Sequence, residues 1–340
     1  MKRLLATLGL FLLLFTAGVI ACSVPVFRYA LEHWAADAYQ VEISRNGALS
    51  VEQTALLKRL SEAVNTNIKV KEVDSSDPTP QLTVRHPVIM PQILPVWKTA
   101  FTEASVTQLL ESPIRQEIAT RLGQGDSAVW LLLESGDVAR DNEVAQMLET
   151  ELTRLAETLE LPELDDQDVK NGLVTVPDDG LRLNFTVLRL SREDAAEAML
   201  IQTLLATESD LREVKEPIVF PVFGRGRVLY ALVGKGIRAD NLGEAARFLI
   251  GSCSCQIKEQ NPGVDLLLTA DWKKLLKTNQ LLDEALPSLS DLEARTPILV
   301  DIPQRKLADE GTPLSKLLGS TAGIAMGLVL MVLLLKKLRR

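Results

Sequence analysis

Residues 218–234 read IVFPVFGRGRVLYALVG, two apolar runs on either side of Gly224-Arg225-Gly226. Short apolar runs parted by a glycine turn predict a β-hairpin with both strands in a core. Pro221 falls inside the first run. Proline gives no N–H to a ladder, so it predicts an edge position or a bulge. Pro217 opens the first run. Arg225 and Arg227 are expected on the surface of the turn, free to meet lipid phosphates or a partner's carboxylates. The stretch lacks the spacing and the Lys-Ser/Thr ending of a P-loop, and no helix follows it.

Upstream, residues 128–134 (AVWLLLE) form a strongly apolar strand that leaves through Ser135-Gly136-Asp137. A long amphipathic helix runs from Asp141 to about residue 159, with Val144, Met147, Leu148, Leu152 and Leu155 on one face. Asp137 and Asp141 complement its N-terminus. Pro162 ends it, and Glu163, Asp165, Asp166 and Asp168 read as a solvated acidic linker without the glycine and glutamate of an EF-hand loop. A strand over 183–190 and a helix over 195–206 precede the hairpin. A helix over 242–250 follows it, with Asn241 as its candidate cap and Gly251 as its stop.

The earlier part of the chain repeats this pattern in shorter form. Alternating residues predict strands at 39–44, 68–73 and 81–85. Ser50 caps a helix over 51–65. Pro87, Pro91 and Pro95 mark an irregular stretch, and a second helix over 105–122 breaks near Pro113. Gly123-Gln124-Gly125 is the best domain boundary.

The order strand, long helix, strand, helix, proline, hairpin, helix over 126–251 resembles the thioredoxin fold. On that resemblance Pro217 takes the place of the family's cis-proline, and residues 39–122 are a divergent shorter copy. The implied fold class is α/β, with tandem thioredoxin-like domains at 39–122 and 126–272, each a mixed sheet with flanking helices. The alternative is a single mixed α/β domain of another topology. The family's Cys-x-x-Cys opens the helix after the first central strand, where the helix N-terminus makes a reactive thiolate. Here that place reads Ser135-Gly136-Asp137-Val138-Ala139-Arg140-Asp141, with no cysteine. A dithiol oxidoreductase of the usual design is excluded there.

The two ends predict a membrane protein. Lys2 and Arg3 followed by an apolar run to Ala21 are the pattern of an export signal or signal anchor over 1–22. Val19-Ile20-Ala21-Cys22 resembles a bacterial lipobox, which implies lipidation of Cys22; the alternative is a chance cysteine closing an uncleaved anchor. Residues 23–38 form a membrane-proximal segment bearing Phe27, Tyr29 and Trp34. It is expected at the membrane surface or under the first domain. A polar and helical stalk over 273–316 leads to an uncharged run, 317–335, long enough to span a bilayer. The basic tail 336–340 puts that end in the cytoplasm. The bulk of the chain is then extracytoplasmic, in a bacterial periplasm. Gly319, Gly323 and Gly327 share one face of the span, which suits helix packing and a homo-oligomer, although glycines are also common in such helices.

The formal net charge of −8 and the lack of a basic stripe with interleaved aromatics argue against a nucleic-acid partner. Two histidines, His33 and His86, are too few for a His-rich zinc site or a Ser-His-Asp set. Apart from Cys22, the cysteines are Cys253 and Cys255. Spaced by one residue, they can form a strained, reducible bridge, hold copper or another soft metal, or remain inert. Lys258 would lower a nearby thiol pKa if it pointed inward. Asn261-Pro262-Gly263 is a turn.

These readings lead to a membrane-tethered extracytoplasmic scaffold that binds an envelope protein, without turnover and without a cofactor. The competing expectation is a thiol-redox or copper-handling protein working through Cys253 and Cys255.

Overall fold

The computed structural model describes residues 23–87, 95–177, 180–252 and 258–276. The chain is a mixed α/β protein with two mixed sheets. Its first part runs α1 (Val26–His33), β1 (Tyr39–Arg45), α2 (Val51–Ser61), β2 (Ile68–Asp74), β3 (Gln81–Arg85), β4 (Trp97–Ala100), α3 (Glu103–Leu110) and α4 (Pro113–Gly123). The second part runs β5 (Ala128–Leu133), α5 (Val138–Thr158), α6 (Asp166–Lys170), β6 (Phe185–Leu190), α7 (Ala198–Leu204), β7 (Ile218–Phe223), β8 (Arg227–Val228) and β9 (Leu232–Val233). It closes with α8 (Ala239–Ile250), β10 (Val264–Asp265) and α9 (Trp272–Leu276).

The first sheet has the order β2-β1-β3-β4. β1 and β2 are parallel, and β3 runs antiparallel to both β1 and β4. Ser50 opens α2 with a full capping box, its hydroxyl accepting from Gln53 N while Gln53 reaches back to the Ser50 amide. Along β1, Tyr39, Val41 and Ile43 are buried against Leu56 and Leu60 of α2 and Val106 and Leu109 of α3. Glu42, on the opposite face, pairs with Lys71 at 2.9 Å and Arg85 at 3.0 Å. Period-two side-chain alternation thus gives this sheet one apolar face. Pro113 divides the expected helix 105–122 into α3 and α4 and stands at the first position of α4, where its missing N–H costs nothing. β4 lies in the stretch expected to be irregular.

The second sheet has the order β10-β8-β7-β5-β6, with β9 also on β7. β5 is parallel to β6 and antiparallel to β7. All six residues of β5 are buried. Trp130 and Leu132 face α1, α5 and α8, whereas Val129, Leu131 and Leu133 face α4 and α7. The two layers explain why β5 is uninterruptedly apolar.

Pro221 sits in a central strand and not at an edge. Its place becomes possible because the strand on one side is broken. Val219 pairs with Leu232 and Val222 with Val228, so three residues of the β8–β9 side span two of β7. The extra residue is a bulge facing the proline, and Leu229 N donates to Pro221 O at 2.9 Å across it. Gly224 holds φ +57° in the turn, and a Cβ there would come within 2.8 Å of Ala30 Cβ. Glycine therefore lets α1 pack directly on the hairpin.

Both sheets fall within one compact unit. Met199 and Ala206, from α7 and just beyond it, and Leu267 join the core of the first sheet. Ile118 and Leu122 of α4 join that of the second. Buried Arg115 fastens this joint, donating to the carbonyls of Gln108, Leu109 and Leu267 at 2.8 Å each. Burial pulls its pKa down to about 10, against the raising influence of Glu197 and then Tyr39. Glu197 accepts from Ser112 Oγ and, at 2.8 Å, from Ile114 N.

Candidate functional site

The corner between β5 and α5 is closed by its own carboxylates. Asp141, 2% exposed, accepts from Ser135 N and Ser135 Oγ at 2.8 Å and from Gly136 N at 3.0 Å. Asp137 is the N-cap of α5 and accepts from Ala139 N and Arg140 N. Across from the corner, Arg140 Nη2 meets Glu216 Oε1 at 2.8 Å, and Arg192 donates to the carbonyls of Glu134 and Glu216. The expected capping role holds for Asp137, whereas Asp141 stands in the first turn of α5 and ties down the loop before it. Pro217, expected as a cis-proline, follows a trans peptide bond, because no cis bond occurs among the described residues. The chain there simply enters extended β7.

A second polar centre gathers residues that are distant in sequence. Lys258 Nζ donates to Ala35 O at 2.6 Å and pairs with Asp37 at 3.0 Å and with Asp265. Arg227 Nη1 meets Asp265 Oδ1 at 3.0 Å, and its other nitrogens donate to Asn261 O and Pro262 O. The guanidinium also lies 5.9 Å from the Trp34 ring centroid. Asp37 N donates to Asp265 Oδ2, and Tyr39 Oη to Asp265 O, both at 2.7 Å. Burial, and after it the Asp265 charge, push the Tyr39 phenol far above its ordinary value. Asp37, Arg227, Lys258 and Asp265 line a cavity of about 160 Å³. Two cations and two carboxylates balance there, so the arrangement fixes the segment 258–265 on the sheet.

The expectation of two surface arginines at the hairpin is corrected on both counts. Arg227 is buried in this centre, and Arg225 donates to Leu31 O at 2.8 Å and Glu32 O at 2.9 Å. The last carbonyls of a helix have no partner within it, and Arg225 supplies donors to those of α1. Asn241 is not the cap of α8, which starts at Ala239 after Arg238; its amide donates to Gly236 O at 2.8 Å.

The segment before β1 also departs from expectation. α1 packs in the core of the second sheet, with Phe27, Ala30 and Trp34 beside Phe223 and Leu249. Its buried Arg28–Glu32 pair is 2.5 Å apart, and both side chains bond the backbone of Thr175. The acidic run is not wholly a solvated linker. Asp168 is buried and accepts from Ser23 N and Ser23 Oγ at 2.7 Å. Pro25 forms an antiparallel bridge with Ser252, and Val26 N donates to Gly251 O at 3.0 Å.

Cys22, Cys253, Cys255, Gly319, Gly323 and Gly327 lie outside the described residues, as do the apolar stretches 4–21 and 317–335. Among the described residues no helix is long and apolar enough to cross a membrane, and no three His, Cys, Asp or Glu side chains form a metal-holding group. Lys258, the proposed thiol activator, is engaged by Asp37 and Asp265. Asp37, Asp265 and Arg115 escaped the sequence reading, because each is an isolated charge whose partners come from distant segments. No protein-family model matches the chain, and no curated protein matches it significantly.

Proposed function

We propose that the chain is a membrane-tethered, extracytoplasmic interaction scaffold whose two sheets are thioredoxin-like modules without a redox centre. The strand orders support this reading. The sheets run β2-β1-β3-β4 and β6-β5-β7-β8-β10, so the first four strands of each share the order 2-1-3-4, with the first two parallel and the third antiparallel to the first, while β10, and β9 on β7, are additions in the second sheet. The observation that carries the non-catalytic part is the β5–α5 corner. Where the family holds a dithiol, Asp141 occupies the free amides and the Ser135 hydroxyl. No nucleophile or redox group remains at that corner. A fold by itself supplies no activity, so the reading rests on this filled corner.

The test uses the full chain in membranes. It should not accelerate disulfide reduction by a small-molecule thiol. Cross-linking to its envelope partner should persist in a Cys253→Ser, Cys255→Ser double variant. Loss of the cross-link in that variant would favour the second reading, thiol or soft-metal chemistry at the cysteine pair. One observation favours that alternative. The described residues on either side of the pair are fixed, Ser252 by its bridge to Pro25 and Lys258 by Ala35, Asp37 and Asp265. A thiol titration with and without mild reduction, together with metal analysis of the same full chain, separates the two. Two thiols that appear only on reduction, or a stoichiometric soft metal, overturn the scaffold reading.

A further inference from the structure

We infer that the surface around Ser23, formed by α6 and Ser252, is held directly against the bilayer. The inference rests on the proposed N-terminal tether but holds for either form of it. Cys22 and the apolar run 4–21 both come immediately before Ser23 in the sequence. Adjacent Cα atoms are only about 3.8 Å apart. A tether of this kind ordinarily reaches its domain through a linker, and here there is none.

Ser23 is already part of the folded body. Its N–H and hydroxyl both donate to Asp168, and the hydroxyl accepts from Asp165 N at 2.7 Å. Two residues later the chain is bridged to Ser252, and Val24 is fully buried. The attachment point therefore has no slack, and the unit cannot tumble away from the membrane on a flexible stem. Asp165, Asp166 and Lys170 of the α6 region and Ser252 are exposed beside it. Apposition here is imposed by the chain and needs no attraction between this acidic face and the lipid headgroups.

The experiment uses two full-length chains reconstituted in phosphatidylcholine vesicles that contain headgroup spin-labelled lipid. One carries a fluorescent amino acid in place of Lys170 and the other in place of Val51, which is 84% exposed on α2 of the first sheet. Quenching severalfold stronger at position 170 is expected. Equal quenching, or stronger quenching at 51, overturns the inference. A protease site placed within 277–316 separates the inference from the reading beneath it. If cleavage releases the unit from the vesicles, the N-terminal tether does not exist and both fail. If the unit stays bound but position 170 is quenched no more than 51, the tether stands and the orientation is wrong.

Discussion

Along β5 six consecutive apolar side chains are buried, whereas along β1 only every second residue faces the core and Glu42 looks outward between Lys71 and Arg85. The first four strands of each sheet follow the same order, but the second sheet adds β9 and β10, and the two are covered differently. The second carries α1, α5 and α8 on one face and α4 and α7 on the other. The first has helices against one face of β1 and charges on the opposite face. Its dependence on the larger sheet is visible in its core, which borrows Met199, Ala206 and Leu267. One face of apolar side chains is a small reservoir of burial energy, and the joint makes up part of the difference.

The sharpest way to break the comparison is to place a charge on each strand. Leu131→Glu buries an unpaired carboxylate between two helix layers, at a cost of several kcal/mol. Circular dichroism of the full chain should show loss of the native fold. On β1 a carboxylate already stands at position 42 without harm. If Leu131→Glu folds normally, the two-layer account of β5 is wrong.

The next effect falls on the joint. Arg115→Met removes the donors from three carbonyls, and a buried unsatisfied group costs about 1–3 kcal/mol. Denaturant melts should shift by about 3 kcal/mol. If the first sheet is held through the joint, its amides should lose hydrogen-exchange protection before those of β5. Uniform loss across both sheets would show that they unfold together.

A smaller effect depends on pH. His86, at the end of β3, is 4% exposed, and its ring lies 6.0 Å from that of Tyr39. Burial lowers its pKa, with the nearby Ala206 backbone opposing and the Arg212 charge adding to the shift. The folded state therefore resists protonation more than the unfolded chain does. Stability should be complete above the unfolded pKa of about 6.5 and fall as pH drops through the folded value. His86→Phe should flatten that slope between pH 7 and 5, which thermal melts would read; an unchanged slope assigns it to other groups. The smallest effect belongs to the outer face of β1. Glu42 has a lowered pKa, because hydrogen bonds from Lys71 and Arg85 together outweigh the raising influence of its partial burial. Lys71→Met should raise that pKa in a carboxyl NMR titration while changing stability by under about 1 kcal/mol.

Much of the sheet architecture was legible. Apolar runs and turn residues marked β5, the hairpin and the strands β1 to β3, whereas the sequence reading begins α5 at Asp141 and the helix in fact starts at Val138, capped by Asp137. The misses share a cause. Short β4 and β10 have little periodicity to read, and only their partners make them strands. Pro221 left an edge or a bulge open, and the bulge that accommodates it lies in another strand. Phe27, Tyr29 and Trp34 looked like membrane-surface aromatics because nothing local shows that α1 docks on residues about 200 positions later. Asp168 looked solvated for the same reason, as its partner is Ser23. The charge centre at Asp37, Arg227, Lys258 and Asp265 had no motif, since tertiary proximity alone creates it.

The docking of α1 also orders events in time. A ribosome delivers Phe27 and Trp34 early, but Phe223 and Leu249, in whose core they are buried, come some 200 residues later. Domains built from local contacts fold as they emerge. Here the first aromatic helix has no home until almost the whole unit has been made. The nascent chain therefore carries these apolar side chains unburied for most of its synthesis, and the unit is finished only when its last strands and helices arrive.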